Sequence, residues 1–426
     1  MRRFKEKLAG IILLSAFTVL SCSRNNIPEQ SLKNLTGETI LEWNEMAYLA
    51  FDGPAYQHSL MASRINAMVH IAMHDALNAI EPTFTSYTFQ GRDALADPIT
   101  AASTAAYEIL LHEIPQKKAM LDSGLAASLI NIPAGDAKER GIVIGKQAAQ
   151  ALLALRNNDG AGGNPIAQIP VTDVAGKYQV VPPFNFVFAP FWENVKLFGL
   201  QSKSQFRPDA PPSLNSAKYT QDFNEVKSIG QLQSTTRTAD QSAYAKFWYE
   251  FSEAGWNRVA KTLVINKQLN LVETARLFAL VDMALADAYI AGWDAKFAYD
   301  FWRPFTAIRN GDKDGNELTT ADAAWEPSEP TPPVQDYPST HSALGNAAAT
   351  VLVRLMGNNN AFSMTSPTAP AENAQRSYST IYQAADENAS SRVMAGIHFR
   401  FSCTAGQQLG NQIGNWIVDN HLRPLK

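Results

Sequence analysis

Three basic residues, a hydroxyl and two imidazoles fall in short blocks between Lys296 and His398: KFAYDFWRP, YPSTH and SRVMAGIH. Lys296, Arg303 and Arg392 bring positive charge, Ser339 a hydroxyl, and His341 and His398 two ring nitrogens each, a set suited to the oxygens of one tetrahedral oxyanion. Lys296 and Arg303 stand seven apart, so on a helix of about 3.6 residues per turn they share a face. Trp293 lies on that face too, and Pro304 is expected to end or kink the helix. Ser339, Thr340 and His341 fall where a loop feeds an apolar run from Ala343, which places them at a helix N-terminus whose free N–H groups favour an anion. Arg392 and His398 reach one ligand only if it sits over the helix start or the backbone bends, which Gly396 permits. Ser402, one turn after His398, is placed to hydrogen-bond that imidazole and hold its tautomer.

The elements that must carry these groups read as helices. Apolar periodicity of helical type covers 42–51, 60–80, 99–112, 135–156, 219–232, 242–251, 271–301, 342–356, 371–388 and 402–420. Thr238 and Gln241 predict a capping box, and no strand alternation stands out. Residues 157–212 form a long connection rich in turn residues and aromatics, of the kind that packs as a functional loop and walls a pocket. The expectation is an all-α fold in one large helical domain, with an N-terminal half over 38–212 and a C-terminal half over 213–426 carrying every proposed ligand.

Taken in order, the blocks have the form Lys-x6-Arg-Pro, Pro-Ser-x-His and Ser-Arg-x5-His. This resembles the signature of the vanadium-dependent haloperoxidases and the related acid phosphatases and type 2 phosphatidic acid phosphatases. ASRINAMVHIAMHDALNAIEP, SQFRPDAPPSLNSAKYTQDFNEVKSIG and RTADQSAYAKFW extend the resemblance, towards bacterial members of the haloperoxidase branch. It implies two packed helical bundles and a vanadate cofactor. It further implies that Lys296, Arg303 and Arg392 neutralise the vanadate oxygens, with Ser339 and Thr340 beside them. His398 matches the histidine that bonds the metal, and His341 the acid–base histidine. Trp293 matches a halide-pocket tryptophan, and Val334 stands where chloroperoxidases have a phenylalanine beside the halide.

HFRFS is closer to the peroxidase pattern than to the phosphatase one. The implied reaction oxidises a halide with hydrogen peroxide to a hypohalous-acid-type species that halogenates a small organic acceptor. An exported acid phosphatase with His398 as nucleophile is the alternative, and a non-catalytic anion-binding lipoprotein a third reading. Thr340 departs from the usual glycine. Ser402 stands where many relatives have an aspartate, which implies a neutral partner for His398 and a weaker metal bond.

The first 22 residues read as a lipoprotein signal peptide: basic MRRFKEKL, an apolar AGIILLSAFTVL too short to span a bilayer, and the lipobox-like VLSC. Cys22 would carry the lipid and residues 23–37 form a tether, giving an exported protein anchored to the cell envelope, periplasmic or at the cell surface. Cys403 alone then remains, so no internal disulfide forms, and its thiol reads as a small buried hydrophobe. A net charge of -4 without a basic run argues against a nucleic-acid partner. Charged residues at 18%, with many alanines, suit closely packed helices and a subunit interface. His70 and His74, one turn apart and followed by Asp75, read as core histidines with no third metal ligand, and His58, His112 and His421 as surface groups.

Overall fold

Asn270 and Glu273 open the longest helix among the described residues with a reciprocal capping box, each side chain accepting from the other's backbone N–H. A computed structural model describes residues 31–425; the leader with Cys22 and most of the tether lie outside them. In chain order the helices are α1 (Glu38–Ala50), α2 (Ser59–Ile80), α3 (Pro98–Glu113), α4 (Lys118–Ser128), α5 (Asp136–Arg156), α6 (Ala217–Ile229), α7 (Ala239–Phe247), α8 (Ser252–Lys267), α9 (Leu271–Tyr299), α10 (Pro304–Arg309), α11 (Thr340–Met356), α12 (Ile381–Met394) and α13 (Arg400–Asn420). The fold is all-α; only two short antiparallel hairpins occur among the described residues, β1 (Ile166–Ala167) with β2 (Val187–Phe188) and β3 (Phe362–Thr365) with β4 (Gln375–Tyr378).

Buried almost all round, α9 is the shared seam. It packs on α2, which in turn packs on α3 and α5, and on α11 and α13, all within one packed unit. No described helix is long and apolar enough to cross a membrane.

Glycines at every fourth position of α13 let it ride on α11 backbone to backbone. A Cβ at Gly406 would lie 2.2 Å from Ser339 O, one at Gly410 2.1 Å from Ala343 O, and one at Gly414 2.7 Å from Ala347 O. Gly406→Ala is therefore expected to destabilise the protein by about 1–3 kcal/mol and to displace Ser339. Denaturant midpoints measured beside anion affinity check both effects.

The predicted capping box at Thr238 and Gln241 is present and starts α7. The run over 371–388 is a correction: it splits into a 3-10 turn, β4 and the start of α12, because Thr380 caps a new helix by accepting from Gln383 N–H. The run over 242–251 also breaks after Phe247, and α8 begins at Ser252. Of the tether, the described end is packed: Leu32 is buried and Leu35 O accepts from Leu271 N–H at 2.8 Å.

The long connection is a wall, as its composition suggested. Tyr178 N–H donates to Asp300 O, Trp302 N–H to Gly176 O, and Phe188 N–H to Pro333 O. Asp287 on α9 accepts the N–H groups of Phe198, Gly199 and Leu200, each at 2.7 Å, and Arg207 grips Asp294 with two hydrogen bonds. Behind the Arg303 and His398 segments lies an aromatic cluster in which Phe399 and Phe401 stack at 5.0 Å beside Tyr219 and Phe301.

Candidate active site

Lys296 sits in the last turn of α9, and Asp300 closes that helix in the left-handed conformation at φ 52°. Arg303 is thus not on the same helix face, which corrects the sequence expectation: it caps α10, and Pro304 begins that helix, where the missing N–H would have had no partner. The two cations converge instead on the irregular segment before Ser339. Lys296 Nζ donates to Gln335 O and, at 3.0 Å, to Asp336 O, while Arg303 Nε donates to Val334 O at 2.7 Å.

Arg392 arrives from the end of α12. One nitrogen donates to Trp248 O at 3.3 Å, the guanidinium lies 5.4 Å from the Tyr249 ring centre, and Nε is buried with no partner among the described residues. Gly396, at φ 77° and pressed against Gly230 O, turns the chain between α12 and His398, so the bend that the spacing required is real. His398 Nε2 lies 3.0 Å from Arg303 Nη1, which also donates to Ile397 O at 2.7 Å. Its Nδ1 lies 2.8 Å from Asp336 Oδ1.

Ser339 caps α11. Its oxygen accepts from the N–H and, at 3.0 Å, the hydroxyl of Ser342, which leaves the Ser339 proton free for another acceptor. Thr340 packs against Gly292 of α9, and its buried hydroxyl has no partner among the described residues. His341 Nδ1 bonds Ser252 Oγ at 2.9 Å, and its enclosed Nε2 is without a partner among the described residues. Trp293, one turn before Lys296, donates to Phe188 O at 3.3 Å, and it and Val334 are each 5% exposed.

Electrostatically the cluster holds more positive than negative charge. Asp336 is the one carboxylate among the described residues within 4 Å of any of the three cations, at 3.9 Å from Arg303. Burial, then the neighbouring Arg303, hold Lys296 well below its usual range, and burial lowers Arg392 to about 10. Burial and the fields of the cations push His398 well down, and burial with Arg392 does the same to His341, so both rings are neutral at pH 7. Excess buried cation is costly unless an anion compensates it. Three cations, a free Ser339 proton, an unpartnered Arg392 Nε and a neutral imidazole nitrogen therefore fit vanadate or phosphate.

A second sequence expectation about the site fails. Ser402 does not bond the imidazole; its hydroxyl donates to Asp336 Oδ2. Sequence reading also passed over Asp336, although it stands three residues before Ser339, and over Ser252, Trp248 and Tyr249, which no motif marks. Cys403 is buried, its thiol pushed up to about 11 by desolvation, as a structural cysteine requires.

Of the remaining histidines, His112 is exposed as expected, and His70 and His74 are structural. His70 pairs with Asp282 at 2.6 Å and His74 with Asp75 at 3.1 Å, and no group of three metal-ligating side chains occurs among the described residues. His58 is not a surface group, since it caps α2 by accepting from Met61 N–H at 3.2 Å; His421 is half-buried against Gly199 O.

Glu253 lies in the wall of a separate cavity of about 390 Å³ lined by α1, α2, α8 and β3. Tyr56 and Tyr289 donate to it, yet complete burial raises its carboxyl to about 7. The folded protein then keeps a proton that the unfolded chain releases above its ordinary value of 4.5, so stability falls as pH rises from there to about 7. Glu253→Gln is expected to raise stability by about 2 kcal/mol at pH 8 and to change little near pH 4, measured by denaturant titration at both pH values.

The chain is similar to known proteins over most of its length. Residues 276–426 match the family model described as the VCPO second helical-bundle domain. The chain is 25% identical to the vanadium chloroperoxidase of Curvularia inaequalis, with 82% of this chain and 75% of that protein covered. It superposes on a bacterial vanadium-dependent iodoperoxidase with a TM-score of 0.78 at 24% identity, covering 92% of this chain and 98% of that one. For the holo form of a bacterial vanadium-dependent chloroperoxidase the TM-score is 0.71 at 18% identity, with 90% and 97% covered. These structural likenesses establish the fold.

Proposed function

We propose that the chain is a vanadium-dependent haloperoxidase that oxidises a halide with hydrogen peroxide to a hypohalous-acid-type species, which halogenates a small organic acceptor. The observation that carries the proposal is the excess of buried positive charge on Lys296, Arg303 and Arg392 beside His398, whose Nε2 lies 3.0 Å from Arg303 Nη1.

Vanadate, when bound, supplies the Lewis-acid centre that activates the peroxide. Lys296, Arg303 and Arg392 would hold its negative charge, the Ser339 hydroxyl and the α11 N-terminus would donate to its oxygens, and His398 Nε2 would be its protein ligand. Thr340, in place of glycine, tightens that N-terminus against α9. Forming hypohalous acid and water from hydrogen peroxide and halide consumes one proton. His341 is placed to deliver it from Nε2, with Ser252 orienting the ring through Nδ1. Trp293 and Val334 would line the halide approach, walled by Phe188. The basic, apolar and VLSC segments of the leader support an exported enzyme held to the envelope by a lipid on Cys22. The 18% charged fraction and the alanine-rich helices support association of subunits.

The test is a parallel assay on phosphate-free protein lacking the first 22 residues. Oxidation of iodide, bromide and chloride by hydrogen peroxide is measured with and without orthovanadate, beside hydrolysis of a phosphomonoester. Vanadate-dependent halide oxidation is expected, and the halide series ranks specificity. Phosphomonoester hydrolysis without halide oxidation would replace the proposal with a phosphatase using His398 as nucleophile, and absence of both with anion binding retained would leave a binding lipoprotein.

A further inference from the structure

We infer that Asp336 is the positioning carboxylate of the site, fixing His398 as the tautomer that carries its proton on Nδ1 and its lone pair on Nε2. The inference concerns the site proposed above and rests on that reading for its purpose.

The tautomer follows from two independent contacts. A guanidinium only donates, so Arg303 Nη1 at 3.0 Å requires a lone pair on His398 Nε2. In a neutral ring the proton then sits on Nδ1, which faces Asp336 Oδ1 at 2.8 Å, with side chains 4% and 0% exposed. The Nδ1–H is off hydrogen-bond alignment with Oδ1, so the carboxylate orients the ring chiefly by charge at short range.

Asp336 is itself held from several sides. Its Oδ2 accepts from Ser402, its N–H donates to Phe301 O at 3.0 Å, and its carbonyl accepts from Lys296. A role as counter-ion to the cations accounts for less: Lys296 bonds the backbone oxygen, and the nearest Arg303 nitrogen is 3.9 Å from the carboxylate. The carboxylate is aimed at His398 and Ser402. Ser402 is therefore the clamp on the partner of His398, and the imidazole retains a carboxylate supplied by the segment before Ser339 in place of one on α13.

The geometry makes the arrangement reversible by design. Ser402 and Asp336 touch, so a carboxylate at position 402 would enter the space that Asp336→Ala vacates. Orthovanadate affinity is expected to fall about 10- to 100-fold in Asp336→Ala and to return to within several-fold of the parent in Asp336→Ala/Ser402→Asp. In the vanadate-free parent, nitrogen NMR of the His398 ring is expected to show the Nδ1–H tautomer, with that preference lost in Asp336→Ala and restored in the double variant. Asp336→Asn, which keeps the volume, takes the place of Asp336→Ala if the latter does not fold.

Parent-like affinity and tautomer in a folded Asp336 variant would overturn the inference, as would an Nε2–H tautomer in the parent. A parent that binds orthovanadate and shows these shifts but oxidises no halide would refute the proposed function alone.

Discussion

Replacing His398 with alanine is expected to abolish tight orthovanadate binding and to bring vanadate-dependent halide oxidation to background. His398 Nε2 lies 3.0 Å from the buried Arg303 guanidinium, and its Nδ1 lies 2.8 Å from Asp336 Oδ1. Removal takes away the ligand and leaves the cations in place. A variant that keeps weak vanadate affinity through Lys296, Arg303 and Arg392 while losing turnover agrees with the account. Equilibrium binding and turnover at saturating vanadate check it together, and retained turnover would remove His398 from the site.

His341→Ala is expected to act differently. Turnover should fall about 10²- to 10⁴-fold, the usual range for a positioned proton donor, while orthovanadate affinity changes little. The ring is oriented by Ser252, its Nε2 is unpartnered among the described residues, and burial with the nearby Arg392 keeps it neutral in the anion-free protein. A bound anion offsets the field of Arg392 and raises its affinity for the proton that halide oxidation consumes. The rise of rate with falling pH in the parent should therefore flatten in the variant. Measuring kcat against pH in both, at saturating vanadate, separates this role from a structural one, which would lower the rate equally at every pH.

Much of the site was legible because its chemistry is concentrated in three short blocks whose side-chain types have few other common purposes. The helices that carry it were legible for a different reason: α2, α3, α5 and α11 each present a continuous apolar face, and their bounds match the periodicity within about two residues. Where periodicity met a competing local signal the reading failed. Tyr299 ends α9 because Asp300 adopts a left-handed turn, and Thr380 restarts a helix inside a run that looked continuous.

Partnerships were the least legible. The pairing of Asp336 with His398 and Ser402 joins residues 62 and 66 positions apart, and Ser252 reaches His341 across 89. Pattern within a segment cannot report such contacts. Ser402 on α13 was expected as a neutral partner for His398, whereas tertiary packing brings the Asp336 carboxylate from the segment before Ser339.

The most direct measurement is a crystal structure of the protein loaded with orthovanadate. The account predicts a vanadium centre bonded to His398 Nε2, with its oxygens contacted by Lys296, Arg303, Arg392 and Ser339. Vanadium bound elsewhere, or held in the cluster without a bond to His398, would contradict it.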